Sequence, residues 1–449
     1  MEKLIFGATD GIRGKVGKKP LRPNMMHNLG RAIAKHFKGG LALLGRDTRE
    51  SGEWMRECVE AGLGECGAEV EDLEILPTPA LQKIISARDD VSCGVMLTAS
   101  HNPATDNGVK VFAADGDKLP DEEELKIEAE FFKDELDEDD DAPEVKFELV
   151  TREDVVDAYS KMVEDELSLG DSLSGMKIVL DAASGAGHEF SQAVFDGFGI
   201  EVDQIDPEPD GRNINDGFGA TSPEKLVEEV KAKGIVGVAL DGDADRIVIV
   251  DEKGRIWDGD RINILLTTYL REQEKLPKNT VVVTEYSNYA TVKHLEAMGV
   301  NVDKVVVGDR FVAQKLRELG ADLGSELAGH IIYRPWLDAS DGTFMALFIL
   351  KIMHEKNIQL ADMWADFEPM PSKQWGIKVR EKRALDTIAG FDDALKVAER
   401  ELTGIGRVFC RYSGTENKLR ILVEAEDEAL IERHGEILAK IIEKEIGDD

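Results

Sequence analysis

Three aspartates separated by single small residues, Asp241-Gly-Asp-Ala-Asp-Arg246, follow the apolar run Val236-Gly-Val-Ala-Leu240. On a tight turn such carboxylates can aim oxygens at one hard cation such as Mg2+, which prefers oxygen ligands. Asp241, Asp243, Asp245 and Glu252 also fall at positions one, three, five and twelve of a calcium loop. Arg246 stands where that loop needs its turn glycine, and both flanks read as strands, so the calcium loop is rejected. The competing reading is a purely structural acidic turn; against it, carboxylates packed this closely repel one another unless something neutralises them.

Three further stretches carry reactive groups. In Thr98-Ala-Ser-His-Asn-Pro103, Ser100 sits beside His101 in a turn stiffened by Asn102 and Pro103. It reads either as a nucleophile or phosphoryl carrier or as a polar turn bonded to its own backbone. Lys110, in Asn107-Gly-Val-Lys-Val-Phe112, reads by residue type as an ordinary surface lysine. Gly324-Ser-Glu-Leu-Ala-Gly-His330 offers Glu326 and His330, which could meet sugar hydroxyls, move a proton, or simply satisfy each other. Arg411-Tyr-Ser-Gly-Thr-Glu-Asn-Lys-Leu-Arg420 combines guanidinium, hydroxyls and turn amides, the donors a phosphate dianion requires, with a solvated loop as the alternative. Ser184-Gly-Ala-Gly-His-Glu189 lacks the third glycine of a dinucleotide fingerprint, Gly7 to Lys15 lacks P-loop spacing, and His188-Glu189 has no second zinc-binding histidine.

These groups need a scaffold, and the pattern supplies one. Short apolar runs at Leu41–Leu44, Gly94–Leu97, Lys177–Leu180, Val236–Leu240, Ile247–Val250 and Val281–Val283 alternate with helix-like stretches. That alternation predicts α/β units with chemistry in the loops at strand ends. The expected architecture is three similar α/β domains with mixed sheets, at 1–147, 148–249 and 250–366, and a smaller C-terminal α+β domain at 367–449, around a central cleft. The acid-dense segment from Pro120 to Glu144, with Asp137–Asp141 unbroken, reads as a solvated helix and connector, and Asp206–Gly211 as a long turn. No exact short repeat occurs, although the three α/β units could be degenerate copies.

The chain has 449 residues, 42% apolar and 32% charged, an ordinary globular composition. Its formal charge of −35 repels phosphate backbones and anionic lipid, so nucleic acid and membrane are not expected partners and any phosphate site must be a local basic pocket. Cys58, Cys66, Cys93 and Cys410 form no metal-binding spacing and read as reduced thiols of a cytoplasmic protein. No secretory leader or membrane-length apolar run is found.

Taken in order, the four motifs resemble the α-D-phosphohexomutase superfamily across essentially the whole chain, and within it most resemble the phosphoglucosamine mutases. Thr9–Gly14, Ala114–Asp121, Pro209–Asn215 and Val307-Gly-Asp-Arg310 add to the likeness. The resemblance implies that Ser100 carries a phosphoryl group and that Asp241, Asp243 and Asp245, with Ser100, hold Mg2+. It implies that Arg13 and Arg246 steady that region, that His101 supports the loop, and that Lys110 and His330 transfer protons. It further implies that Arg310 and Glu326 contact substrate, and that Arg411, Ser413, Gly414, Thr415, Glu416 and Arg420 hold the phosphate that does not react. The substrates so implied are small sugar phosphates, passing through a hexose 1,6-bisphosphate that also serves as activator; a homodimer is left open. A hinge at 367–372 would let the last domain open and close. Two positions depart from the family: Ala328 stands where serine is usual and Ser325 where glycine is usual, which bears on sugar choice. Phosphomannomutase or phosphoglucomutase activity, a non-catalytic sugar-phosphate sensor and a phosphatase are the rival readings.

Overall fold

The computed structural model of the protein describes residues 6–7, 11–133, 148–364, 367–413 and 417–448. The acidic run Asp137–Asp141 and the residues Gly414, Thr415 and Glu416 lie outside these. The chain forms two compact units, one of Met1–Tyr286 with Asn301–Trp364 and the other of Ser287–Val300 with Ala365–Asp449.

The larger unit holds three mixed sheets built on one plan. In the first, the parallel strands Gly40–Arg46, Ala68–Ile75 and Val91–Leu97 are followed by Asp106–Ala113, which runs antiparallel beside Val91–Leu97. In the second, Lys177–Asp181, Glu201–Gln204 and Gly237–Leu240 are parallel, and Ile247–Val250 returns antiparallel to Gly237–Leu240. In the third, Thr280–Thr284, Asn301–Val305 and Leu323–Ser325 are parallel, and Ile331–Tyr333 returns antiparallel to Leu323–Ser325. Each core sheet therefore has the spatial order fourth, third, first, second. The degenerate repeat entertained from sequence exists as topology. In every copy the loop joining the third and fourth strands lies at the carboxyl end of a parallel strand, where α/β sheets place their chemistry.

The apolar runs become strands because helices cover both faces, which favours continuous β-branched sequence over alternation. Gly237–Leu240, Ile247–Val250 and Thr280–Thr284 are buried along their whole length. In the first domain Leu29, Ile33, Val59 and Leu63, from the helices Pro23–Phe37 and Ser51–Glu65, pack with Leu44, Val95 and Val109 of the sheet. Each fully buried aliphatic side chain contributes about 1.5–3 kcal/mol relative to exposure. Helix starts are capped by side chains: Asp258 accepts from the Arg261 amide and Asp341 from the Phe344 amide. Among the described residues no helix is long and apolar enough to cross a membrane.

The smaller unit is an antiparallel sheet ordered Ser372–Lys378, Lys418–Ala425, Gly406–Tyr412, with the helices Phe391–Leu402 and Glu428–Ile446 closing its apolar core. The helix Tyr289–Ala297 belongs with this unit although it follows a strand of the third sheet. Buried Glu424 explains the attachment: its carboxylate accepts from the Asn288 amide group, the Tyr289 backbone N–H and Arg407.

Candidate active site

The loop after Val91–Leu97 carries Ser100, whose φ of 51° is left-handed, a conformation that costs a non-glycine residue roughly 1–3 kcal/mol and persists only when its surroundings hold it. Arg49 does much of that holding. This guanidinium is 1% exposed, and its donors reach Asp47 Oδ2 at 2.8 Å and the carbonyls of Pro103, Asp106, Ser100 and Asn102 at 2.6, 2.9, 2.9 and 2.8 Å. Asp47 also accepts from Thr98 Oγ1 at 2.7 Å, and Thr98 Oγ1 accepts the Ser100 amide at 2.9 Å. From the second domain, Asn215 Nδ2 donates to the Ser100 carbonyl at 2.9 Å and the Asn102 carbonyl at 3.1 Å.

Thus held, Ser100 Oγ donates to Asp241 Oδ2 at 3.0 Å. His101 Nδ1 lies 3.4 Å from the same hydroxyl. Burial, with Arg246 and Arg13 nearby, pushes the His101 imidazole down to about 4, so it is neutral near pH 7.

The aspartates occupy the hairpin between Gly237–Leu240 and Ile247–Val250, with strands on both flanks as the rejection of a calcium loop required. One carboxylate oxygen from each of Asp241, Asp243 and Asp245 lies within 4.8 Å of the others, and all three residues are buried. Gly242 is obligatory: a Cβ there would sit 2.6 Å from the Ser100 carbonyl. Burial and then its two acidic neighbours push the Asp241 carboxyl up to about 7. Burial also works against the Asp245 anion, yet Lys110 and His330 beside it hold that carboxyl well below the usual range. Asp243 Oδ1 is buried without a hydrogen-bond partner. Crowded buried carboxylates with one oxygen that no protein donor meets fit a divalent cation that takes oxygen ligands.

Lys110 corrects its reading as a surface residue. It is 2% exposed, and its Nζ donates to Asp243 Oδ2 at 2.8 Å and Asp245 Oδ2 at 3.2 Å. Its strand, Asp106–Ala113, is buried from Asn107 to Phe112, so both faces of the sheet are covered there and the side chain enters the interior.

The third hairpin, Glu326 to His330, is stitched to the second: the Ile247 amide donates to the Gly329 carbonyl at 3.0 Å. Gly329 has φ +99°, and a Cβ on it would lie 2.5 Å from the Ile247 carbonyl. This close approach brings His330 Nε2 to 3.2 Å from Asp245 Oδ1, with Nδ1 2.7 Å from Glu326 Oε2. Burial disfavours the imidazolium, but Asp245 and Glu326 outweigh it and push His330 up to about 10. Arg246 reaches His330 Nε2 from Nε at 3.2 Å and lies 3.8 Å from Asp241. Ser325 is fully buried and its hydroxyl accepts from Asn263 Nδ2 at 2.8 Å, so it faces the core. Ala328 is exposed.

Arg310 pairs with Asp121 at 2.6 Å on the wall of a cavity of about 470 Å3 that Lys110, Lys118, Asp309 and Arg317 also line. Arg13 is half-buried on the strand Gly11–Lys15, next to the strand of Lys110. In the smaller unit, Arg411 and Arg420 face each other across the sheet, as do Lys378 and Lys418. Like charges directly opposed destabilise a sheet. Ser413 closes this end, its amide donating to the Lys418 carbonyl at 2.8 Å while Lys382 Nζ donates to the Ser413 carbonyl at 2.6 Å.

Arg49 and Thr78, whose hydroxyl donates to Asp243 Oδ2 at 2.6 Å, have no place in the sequence reading, and Asn215 enters it only as the end of the stretch Pro209–Asn215, without a role. Asp47-Thr-Arg49, three residues past the expected strand Leu41–Leu44, is the signal that could draw attention to the first.

Models of the phosphoglucomutase/phosphomannomutase family match along the chain in order: α/β/α domain I over residues 3–138, domain II over 157–254, domain III over 258–370 and the C-terminal domain over 377–441. A phosphoglucosamine mutase of Bdellovibrio bacteriovorus is 37% identical over 460 residues, spanning 99% of this chain and 100% of that one. A crystal structure of a phosphoglucomutase/phosphomannomutase family protein from Burkholderia thailandensis aligns with a TM-score of 0.79 at 22% identity, over 98% of this chain and 97% of the other. The Aspergillus fumigatus N-acetylphosphoglucosamine mutase, solved in complex with GlcNAc-6P and magnesium, aligns at a TM-score of 0.66 and 18% identity, over 98% and 96%. Those two structures share the fold. Since four family domains follow one another through the chain and full-length similarity accompanies them, the protein belongs to the phosphoglucomutase/phosphomannomutase family and is an enzyme of the α-D-phosphohexomutase superfamily.

Proposed function

We propose that the enzyme interconverts glucosamine 6-phosphate and glucosamine 1-phosphate through a phosphoserine at Ser100 and a 1,6-bisphosphate intermediate. The observation that carries the mechanism is Ser100 Oγ, fixed in a left-handed loop and hydrogen-bonded to Asp241 at 3.0 Å inside the carboxylate cluster. Full-length relatives named phosphoglucosamine mutase, 37% identical, support the choice of sugar.

Asp241, Asp243 and Asp245 would hold Mg2+ next to the serine, where the ion neutralises charge on a transferring phosphoryl group. In the forward half-reaction the free hydroxyl of the sugar 6-phosphate attacks the phosphorus on Ser100. The bond from phosphorus to Ser100 Oγ breaks, the hydroxyl loses its proton, and Oγ regains one. His330 and Lys110, joined through Asp245, are the groups assigned to move these protons. After the bisphosphate turns over, its other phosphoryl group returns to Ser100. Neutral His101 supports the serine loop, Arg13 and Arg246 supply positive charge around it, and Glu326 and Arg310 contact sugar. Arg411, Ser413, Gly414, Thr415, Glu416 and Arg420 are assigned to the phosphate that does not react, where two guanidinium groups on adjacent strands would supply positive charge.

The test is phosphorus NMR on glucosamine 6-phosphate, glucose 6-phosphate and mannose 6-phosphate in parallel, with Mg2+ and a trace of hexose 1,6-bisphosphate. Faster appearance of glucosamine 1-phosphate is the expected result. Preferential conversion of a neutral sugar would move the specificity to the phosphoglucomutase/phosphomannomutase type, and release of inorganic phosphate instead would make the enzyme a phosphatase.

A further inference from the structure

The two oxygens of Asp243 are in unlike surroundings. Oδ2 accepts Thr78 Oγ1 at 2.6 Å and Lys110 Nζ at 2.8 Å, whereas Oδ1 is buried and has no hydrogen-bond partner. Thr78 belongs to the first domain and Asp243 to the second, and a second bond joins them, from the Thr78 amide to the Asp243 carbonyl at 3.0 Å. Thr78 is 1% exposed and opens the helix Thr78–Ser86 between Pro77, in extended backbone, and Pro79. Pro77 and Pro79 fix φ on either side of Thr78, a β-branched side chain has few χ1 states, and the amide bond to the Asp243 carbonyl anchors the backbone between them, which together restrict the direction of the hydroxyl.

We infer that Thr78 is a positioning residue for the cation: by saturating Oδ2 of Asp243 it turns the bare Oδ1 toward the ion. The inference rests on the reading of Asp241, Asp243 and Asp245 as the cation site. A carboxylate rotates about its Cβ–Cγ bond, and a single donor on one oxygen leaves that rotation soft. Threonine from one side and lysine from the other fix its plane. Lys110 cannot do this alone, because its ammonium is shared with Asp245 Oδ2 at 3.2 Å and would be drawn toward whichever carboxylate moved. Groups that orient metal ligands in this way are worth about 10–100-fold in metal affinity.

Mn2+, which takes the same oxygen ligands as Mg2+ and is seen directly by electron paramagnetic resonance, is the probe. Binding is measured on the full-length enzyme for wild type, Thr78→Val, Thr78→Ser and Asp243→Asn, without substrate. Thr78→Val, nearly isosteric but without the hydroxyl, is expected to weaken Mn2+ binding about tenfold or more, with Thr78→Ser restoring it. Wild-type affinity in Thr78→Val alongside a loss in Asp243→Asn would overturn the positioning role. Wild-type affinity in Asp243→Asn would instead overturn the cation site on which the role depends. Should Thr78→Val fail to fold, Thr78→Ala carries the same comparison without introducing a branched apolar group against the carboxylate.

Discussion

Replacing Arg49 with lysine keeps the charge of the buried guanidinium and removes its fork, isolating what the fork contributes to the serine loop. Five bonds leave this side chain, four to carbonyls of residues 100–106 and one to Asp47. An ammonium has three donors on a tetrahedral nitrogen, so at least two of the five are lost. With hydrogen bonds to charged groups worth about 1.5–3 kcal/mol each, the loop should be loosened by roughly 3–6 kcal/mol. At 1.4 kcal/mol per factor of ten, that is an increase of about 10^2 to 10^4 in local opening. The assay is amide hydrogen exchange by mass spectrometry on peptides covering residues 98–108. Protected amides there include Thr98, Asn102 and Asp106, bonded to the carbonyls of Gly108, Ala99 and Pro103. Peptides from the strand Thr280–Thr284 serve as the internal control and should exchange as in wild type. Unchanged exchange at 98–108 would refute the reasoning, since the loop would then hold its shape without the fork. Faster exchange throughout the chain would refute it differently, making Arg49 a support of the whole fold.

Ser100→Ala should abolish both phosphorylation and mutase turnover, and Asp243→Asn should abolish turnover with circular dichroism unchanged; near-normal turnover in either, measured by a coupled assay, would defeat the proposed mechanism. Ala328→Ser adds a hydroxyl at an exposed position beside Glu326 and His330, and since one neutral hydrogen bond is worth roughly 0.5–1.5 kcal/mol, it should change the ratio of kcat/KM between sugars more than turnover itself. Identical ratios would show that residue 328 does not read the sugar. Asp181 ends the strand Lys177–Asp181 and is fully buried, and burial pushes its carboxyl up to about 7 although the Gly219 and Ala183 amides donate to it. Because the folded state then keeps a proton that the unfolded chain releases near pH 4, stability falls as pH rises from about 4 to about 7, by up to about 1.4 kcal/mol per pH unit. Asp181→Asn, uncharged throughout, should flatten the decline of Tm over that window, and parallel Tm curves would contradict the shift.

The sequence carried those parts of the fold and site that depend on near neighbours. The six apolar runs are strands because a continuous buried run between turn residues has few other solutions, and the aspartates converge because their spacing lies within one hairpin. What it could not carry is pairing at long range. Arg49 meets the serine loop 51 residues onward, Asn215 reaches it across 115, and Thr78 meets Asp243 across 165. Nothing in the local pattern of those residues encodes a partner in another element. Lys110 reads as a surface residue on its own for the same reason, since only the covering of its strand on both faces makes the side chain an interior one. Ser325 was legible as a departure, yet its hydroxyl turned out to bond Asn263 in the core, which residue identity alone does not reveal.

The three repeated hairpins also divide the evolutionary constraint on this chain. Each sheet encloses its own apolar interior, so its strands and covering helices can drift by compensating changes within that copy. The hairpins have no such freedom: Gly242 is held by the Ser100 carbonyl of the first copy, and Gly329 by Ile247 of the second. A change in one loop must be answered in another loop more than eighty residues away. Substitution patterns should therefore separate into three nearly independent blocks for the scaffolds and one shared block for the loops, although no segment of sequence joins the members of the last.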